Sequence, residues 1–461
     1  MQVITKPAIA FAAFPTLIAV PVVAETAYYV APDGSDSNPG TLAAPFATFR
    51  KAQSAMRGST IKTTYVRAGG YFPTGVDTGG GDTVIVKLTS ADSGETWSYH
   101  PSDGIGSAII DGGSSGATVG IKWGFWVEGA ANATINGLQL QNFANEFLHA
   151  TGGASGTTFI NNILHNNYNS RNYSGIALWG SAPNSTVANN YVYNTVNHGI
   201  LASTCSGSCA GGMNGIVIKN NFVYNTCTVS TDCGGIYLQD YASPRSTNIT
   251  ISNNFVRDIN PKGDYGGRGI YLDDGASNVT ATGNIISGHK NTCFNIHGGD
   301  NNKFSGNICD EQSSSHESIA RYERSDEVPS NPMKRNLFTN NIIIARSAGG
   351  GNGYTGDGAP TPAIIKNNAY FNYVGSTVNS VGSGGAGSDI SPTYEDPQLL
   401  TWCYEIAAGS PVYNAPVFFP GVAGGWGPAG FVIPSVGTPP SSPHITGCHS
   451  SALSPAIPSL T

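Results

Sequence analysis

From about residue 130 the apolar residues come in short groups. Four to six positions rich in Val, Ile, Phe and Tyr alternate with polar ones, stop at a turn, and start again. This period of two, bounded by turn residues and with little helical spacing between, predicts short strands. A marker recurs in phase with the groups: Asn161-Asn162, Asn189-Asn190, Asn220-Asn221, Asn253-Asn254, Gly283-Asn284, Gly306-Asn307, Asn340-Asn341 and Asn367-Asn368. Successive second asparagines lie 28, 31, 33, 30, 23, 34 and 27 residues apart. The shortest spacing fits one bare turn of a parallel β-helix, and the excess in the others predicts loops inserted on one side. Asparagine tolerates the left-handed backbone of a sharp corner. Amides stacked at one corner can also hydrogen-bond from coil to coil. A second polar position follows four residues later, as with Asn166, Asn194, Asn225, Asp258 and Asn372. The expectation is an all-β solenoid, a single-stranded parallel β-helix. It should have at least eight coils between about Ile135 and Asn372, with the second asparagines on one corner. A propeller needs a longer repeat, a sandwich would not keep the asparagine pair in phase, and a leucine-rich horseshoe lacks its leucines here.

The ends differ from the middle. Ala27-Tyr28-Tyr29-Val30 predicts a strand, and residues 31–40 are turn-rich. After Pro45, the residues Phe46, Phe49, Ala52 and Met56 fall at helical spacing. A short amphipathic helix ahead of a strand array predicts a lid over the open end. Residues 64–70 predict a strand and a turn. Beyond Asn372 the periodicity fades into the Gly/Ser-rich residues 376–391. The organisation expected is a signal peptide over 1–24, an N-terminal cap with the first coils over 25–130, the coil array over 131–375, and a C-terminal cap with a Pro/Ser-rich tail over 376–461.

Composition narrows the setting. The 461 residues include 60 glycines, only 11% are charged, and the formal net charge is −7. That balance carries no electrostatic footprint for nucleic acid. Lys6, the apolar residues 8–23 and Val22-Val23-Ala24 have the form of a secretory signal and its cleavage site. The apolar run is too short to span a membrane, and no later run is long enough. A secreted or periplasmic protein is expected. Eight cysteines suit an oxidising compartment. Close spacing suggests Cys205–Cys209 and Cys227–Cys233, with Cys403–Cys448 stapling the tail.

The candidate chemistry lies in a repeated phrase. Gly-Ile-Tyr-Leu-Gln-Asp occurs at residues 235–240, Gly-Ile-Tyr-Leu-Asp-Asp-Gly at 269–275, and a degraded Phe-Asn-Ile-His-Gly-Gly at 294–299. Aligned on the leucine or isoleucine, the copies are taken to put Asp240, Asp274 and His297 at one equivalent position, with Asp273 one residue earlier. Strand alternation points Ile270 and Leu272 inward and Tyr271 and Asp273 outward. The same alternation turns out Trp179, Tyr237 and Asn295, and the next copy adds Arg321, Tyr322 and Glu323. Three acids this close cannot all ionise freely, so a proton donor beside an ionised base is expected. Glycoside hydrolysis uses such a pair. Asp240, Asp273 and Asp274 are the candidate catalytic residues. His297, Trp179, Tyr237, Tyr271, Arg268, Asn295, Arg321 and Glu323 are the candidate substrate contacts, with Trp179 and the tyrosines as a sugar-stacking wall.

The opening Tyr-Tyr-Val-Ala-Pro-Asp-Gly-Ser-Asp-Ser-Asn-Pro-Gly-Thr, residues 28–41, and the asparagine-marked coils resemble the pectin-lyase-like family of right-handed parallel β-helix proteins. The likeness covers roughly residues 27–430. It implies a secreted carbohydrate-active protein with a polysaccharide or oligosaccharide partner. The acids resemble the polygalacturonase and dextranase type of β-helix hydrolase, with Asp240 matching its single Asp, Asp273-Asp274 its pair, and His297 loosely its histidine. The Asn-Thr-Asp, Gly-His-Gly and Arg-Ile-Lys signatures of polygalacturonases are absent, which puts a polygalacturonate substrate in doubt. A hydrolase of this kind needs no cofactor. The alternative is a polysaccharide lyase in which Asp240, Asp273 and Asp274 hold Ca²⁺ and one of Lys262, Arg268, Lys290 or Arg321 is the base. An epimerase would use similar parts, but its Asp-Pro-His-Asp signature is missing. A non-catalytic carbohydrate-binding or adhesive protein, with the acids as turn residues, is the third reading.

Overall fold

A computed structural model gives the chain as a three-faced stack of parallel strands. It describes residues 26–410, less 80, 116–117, 170–171, 205–211, 263–265, 312–317, 327–332, 347–351, 358–363, 375–377, 379–381, 384–386, 400–403 and 405–409. The first sheet runs from Tyr28–Val30 to Ile364–Lys366, the second from Gly69–Tyr71 to Ala369–Asn372, and the third from Val76–Asp77 to Gly382–Ser383. The chain visits the sheets in turn, and each strand pairs with its counterpart one coil on. One pairing among the described strands is antiparallel, Val76–Asp77 with Thr83–Leu88. From Thr134–Asn136 to Ile364–Lys366 the first sheet has nine strands, so the expected minimum of eight coils is met. Inward positions stay in register from coil to coil, as with Ile135, Phe159, Val187 and Ile218, and form one continuous apolar core.

Two asparagine positions make the corner. The first residue of each pair takes the left-handed conformation, with φ of 59° at Asn161, 54° at Asn189, 55° at Asn220 and 52° at Asn253. The second residue is buried and links coils. Asn162 Nδ2 donates to Asn190 Oδ1 at 3.0 Å, and the chain of such bonds continues through Asn221, Asn254, Asn284, Asn307, Asn341 and Asn368. The other amide hydrogen donates to a carbonyl oxygen of the preceding coil, as from Asn254 to Ile218. The ladder ends on Asp389 Oδ2, 2.7 Å from Asn368 Nδ2. Asn166, Asn194, Asn225 and Asp258 also take positive φ and mark the next corner.

The helix at the N-terminal end is Phe49–Arg57, capped by the Thr48 side chain, which accepts from the Lys51 N–H. It buries Phe49, Ala52 and Met56, and Phe49 meets the rings of Trp97 and Phe125 inside the first coils. Phe46 lies before the helix rather than in it, because the cap falls at Thr48. Among the described residues no helix is long and apolar enough to cross a membrane. Two disulfides are present in the described residues: Cys227–Cys233, as expected, and Cys293–Cys309, which the spacing did not suggest. Cys205, Cys209, Cys403, Cys448, the signal segment over 1–24 and most of the C-terminal cap and tail lie outside the described residues.

Candidate active site

The repeated phrase lands in the third sheet, as strands Gly234–Gln239, Arg268–Asp273, Thr292–His297 and Ser318–Glu323. The glycine in second place in two of them has a steric reason. A Cβ on Gly235 would lie 2.2 Å from Val256 Cγ1, and one on Gly269 would lie 2.4 Å from Ile286 Cγ2. Ile236, Leu238, Ile270 and Leu272 face the core, which leaves the alternate residues outside. One outer row runs Trp179, Ser203, Gln239, Asp273, His297, Glu323. A second runs Ala177, Leu201, Tyr237, Tyr271, Asn295, Arg321. Leu272 pairs with Ile296, so His297 stands beside Asp273. The expected equivalence of His297 with Asp240 and Asp274 is therefore off by one residue.

That register brings three groups together. His297 Nδ1 lies 2.5 Å from Asp273 Oδ1 and 3.5 Å from Asp274 Oδ1. Tyr237 donates its hydroxyl to Asp273 Oδ2 at 2.5 Å, and the Asp274 backbone N–H donates to Asp273 Oδ1. Burial works against the charge of Asp273, but His297 and Tyr237 hold its carboxyl below the ordinary value. Burial likewise opposes a proton on His297, and Asp273, with Glu323 and Asp274, raises its pKa above the usual 6.5. Asp274 sits at the turn with φ of 40°. It accepts from Gln239 Nε2 at 2.7 Å, the Tyr241 hydroxyl and Ser325 Oγ at 2.8 Å. His297 is the most open of the three, its side chain 26% exposed, and among the described residues Nε2 has no hydrogen-bond partner.

Other expected residues go elsewhere. Asp240 is 0% exposed and its carboxylate is used within its own corner, accepting from the Ala242 and Ser246 N–H groups and Thr204 Oγ1. It does not join Asp273 and Asp274, because the turn after Gln239 folds it under the loop over residues 240–246. Tyr237 and Tyr271 point outward but form no open wall: His198 stacks on Tyr237 at 4.0 Å, and the Arg268 guanidinium covers Tyr271 at 4.3 Å. Arg268 is itself buried and paired with Asp232 at 2.8 Å. Asn295 is buried and donates to Glu323 Oε2, and Arg321 pairs with Glu323 Oε1 at 2.8 Å. These residues support the cluster from behind. Trp179 is 41% exposed, in the same row as Asp273 and three strands away. Sequence reasoning missed Tyr241 and Ser325, which sit just past strand ends where strand alternation gives no direction, and His198, whose Nδ1 accepts from the Gly234 N–H.

The family described as "Right handed beta helix region" matches residues 123–309, the coils that carry the cluster. The chain is a right-handed parallel β-helix protein. No curated protein matches it at the sequence level. Among solved structures, this β-helix protein is similar to the A-module of a mannuronan C-5 epimerase from Azotobacter vinelandii, with 14% identity, 75% of this chain and 94% of the other covered, and a TM-score of 0.51. It is similar to pectate lyase Pel9A, with 18% identity, 86% and 92% covered, and a TM-score of 0.50. It is also similar to a GH136 lacto-N-biosidase from Eubacterium ramulus, with 12% identity, 80% and 67% covered, and a TM-score of 0.50. At these identities the likeness is one of fold.

In this β-helix protein the donor atoms of Asp273, Asp274 and His297 all lie within 4.8 Å of one another. Two carboxylates and a histidine nitrogen supply only part of the six to eight oxygen ligands that Ca²⁺ takes. Asp240, expected to complete such a site, is turned away, and the nitrogen facing the two carboxylates belongs to a histidine whose pKa they raise. What the arrangement offers is a proton on His297, one clearly ionised carboxylate at Asp273, and a second carboxyl group on Asp274 beside them.

Proposed function

We propose that this protein is an enzyme that cleaves a polysaccharide by glycoside hydrolysis at Asp273, Asp274 and His297. The observation that carries the reading is the shared position of His297 Nδ1, 2.5 Å from Asp273 and 3.5 Å from Asp274. Hydrolysis of a glycosidic bond needs a proton for the leaving oxygen and a carboxylate for water or the sugar cation. His297, held as an imidazolium, delivers the proton through Nε2. Asp274, oriented by Gln239, Tyr241 and Ser325, faces the same space and serves as the carboxylate. Asp273 holds His297 in place and keeps it charged. The three structural neighbours carry names of saccharide-acting proteins, which supports the substrate class. None of the four bases expected for a β-elimination stands free beside the cluster. Arg268 is buried against Asp232, Arg321 is bound to Glu323, Lys290 Nζ donates to Pro261 O, and Lys262 is exposed on a turn.

The test is a panel of neutral and uronic polysaccharides, assayed for new reducing ends and for the absorbance of unsaturated products. Hydrolysis gives reducing ends without that absorbance, survives EDTA, and disappears in Asp274→Asn and His297→Gln. Unsaturated products, or activity abolished by EDTA and restored by Ca²⁺, would overturn the hydrolase in favour of the lyase. Silence on every polymer would favour a binding protein.

A further inference from the structure

A second cluster lies on the same outer face, toward the N-terminal coils. Trp123 and Trp126 extend from strand Trp123–Glu128, with ring centroids 4.9 Å apart. His149, from the next strand Leu148–Thr151, meets both rings edge-on, at 5.0 Å and 5.5 Å. Tyr173 closes a third side, 5.5 Å from Trp123. These four rings form a cup, and it lies in line with the acid cluster. Trp126 pairs with His149, His149 with Ala177, Ala177 with Leu201, Leu201 with Tyr237, and Tyr237 donates to Asp273. The small and apolar Ala177 and Leu201 lie between the two clusters, both buried, with the exposed Trp179 in the row alongside. Strand Leu148–Thr151 is four strand spacings, about 19 Å, from Arg268–Asp273.

We propose that the cup is a remote sugar subsite that holds the far end of an uncharged glycan whose cleaved bond lies at His297. This rests on the hydrolase reading above. Three features of the cup carry it. Its walls are aromatic faces, which stack on the apolar faces of pyranose rings. Its charges are already matched: Lys87 Nζ lies 2.6 Å from Glu128 Oε2 and 4.5 Å over the Trp126 ring, and His149 Nδ1 lies 2.5 Å from Glu146 Oε2. Hence, among the described residues, no unmatched cation lines the cup for a uronate carboxylate. Finally, the indole N–H groups of Trp123 and Trp126 have no acceptor among the described residues, although Trp123 is more than nine-tenths buried. A covered indole donor ordinarily finds a partner, and a sugar hydroxyl is the acceptor the cup lacks. His297 is one strand further on and one strand spacing is close to the length of one sugar residue, so the cup would hold a ring about five residues from the reacting one.

The experiment is affinity electrophoresis of the purified protein through gels containing dextran, laminarin, xyloglucan, polygalacturonate or alginate, in the Asp274→Asn background so that no polymer is degraded. At least one neutral polymer should retard the protein. Trp126→Ala should weaken that retardation about tenfold, the size of one stacking contact, while Trp126→Phe keeps most of it. Far-ultraviolet circular dichroism checks that each variant is folded. The proposal is overturned if no neutral polymer retards the protein, if Trp126→Ala changes nothing, or if the retardation sensitive to Trp126 is by a uronic polymer. These outcomes are separate from hydrolysis. Neutral-glycan binding lost in Trp126→Ala, with no reducing ends from the unmutated enzyme, would keep the subsite and sink the hydrolase. Reducing ends with binding indifferent to Trp126 would do the reverse.

Discussion

Burial alone would strip the proton from His297, and the carboxylates of Asp273, Glu323 and Asp274 reverse that. Its pKa lies above the usual 6.5, so the acid form persists to higher pH than in an ordinary histidine and is lost as pH rises through the raised value. The basic limb of the pH–rate profile should therefore fall above about 6.5, the ordinary histidine value. In Asp273→Asn, which removes the nearest of these charges, whatever activity remains should show that limb at lower pH. Loss of the proton donor itself, in His297→Gln, should reduce kcat by about 10²–10⁴-fold. Asp240 gives the opposite expectation. Its carboxylate accepts two backbone N–H groups inside a closed corner, so Asp240→Ala leaves them without acceptors. Each such group costs about 1–3 kcal/mol. Thermal unfolding should shift down, while kcat of the protein that remains folded stays within a few-fold of the original. A kcat loss as large as that of His297→Gln would return Asp240 to the catalytic set.

At the scale of the strand, the phrase Gly-Ile-Tyr-Leu states most of its own geometry. The alternation sets which side chains face out, and the glycine is required where the chain bends inward against the next coil. Gly269→Ala would press a Cβ to 2.6 Å from the Cys293 carbonyl oxygen, a backbone atom that cannot rotate away. It should destabilise by about 1–3 kcal/mol, measured by denaturant unfolding. The strand pattern thus made the outer rows legible, and with them Asp273, Trp179 and Glu323. It could not give the loops. Whether an acid one residue past the strand points into the groove, as Asp274 does, or back into a corner, as Asp240 does, depends on turn conformation: Asp274 has φ of 40° and Asp240 is absent from the residues of positive φ. Nor does alternation reveal that an outward tyrosine is roofed by an arginine from its own strand, as Tyr271 is by Arg268. Leu272 and Ile296, the residues that align the two phrases, are also strand partners, and this sets His297 beside Asp273 rather than Asp274.

For the whole molecule, the coil count, the asparagine corner and the lidding helix followed from periodicity, because a solenoid repeats the same local problem many times. Long-range features without a period, such as the Cys293–Cys309 bridge, did not. The stack also buries histidines to which no step of the reaction is assigned. Burial drops the pKa of His198 to about 3 and of His289 to about 4. Both are neutral in the folded chain and take up protons readily when it unfolds. Their contribution to stability is present above about 6.5, the ordinary histidine value, and is lost as pH falls toward about 4. The melting temperature should decline over that interval, and less steeply in His289→Gln, a comparison that differential scanning calorimetry makes directly. A profile flat between pH 6.5 and 4, with no difference in the variant, would contradict the burial of these rings.

The asparagine ladder has a direction. Every amide from Asn162 to Asn341 donates toward the C-terminal neighbour, and Asp389, which offers only acceptors, receives the last bond. Because this column indexes coils at a single point, it is indifferent to how much chain passes between one asparagine and the next, 23 residues in one coil and 34 in another. The stack can thus gain or lose loop residues around its third sheet without shifting any strand by a single position. Selection is free to remodel the walls of the groove while the floor stays in register.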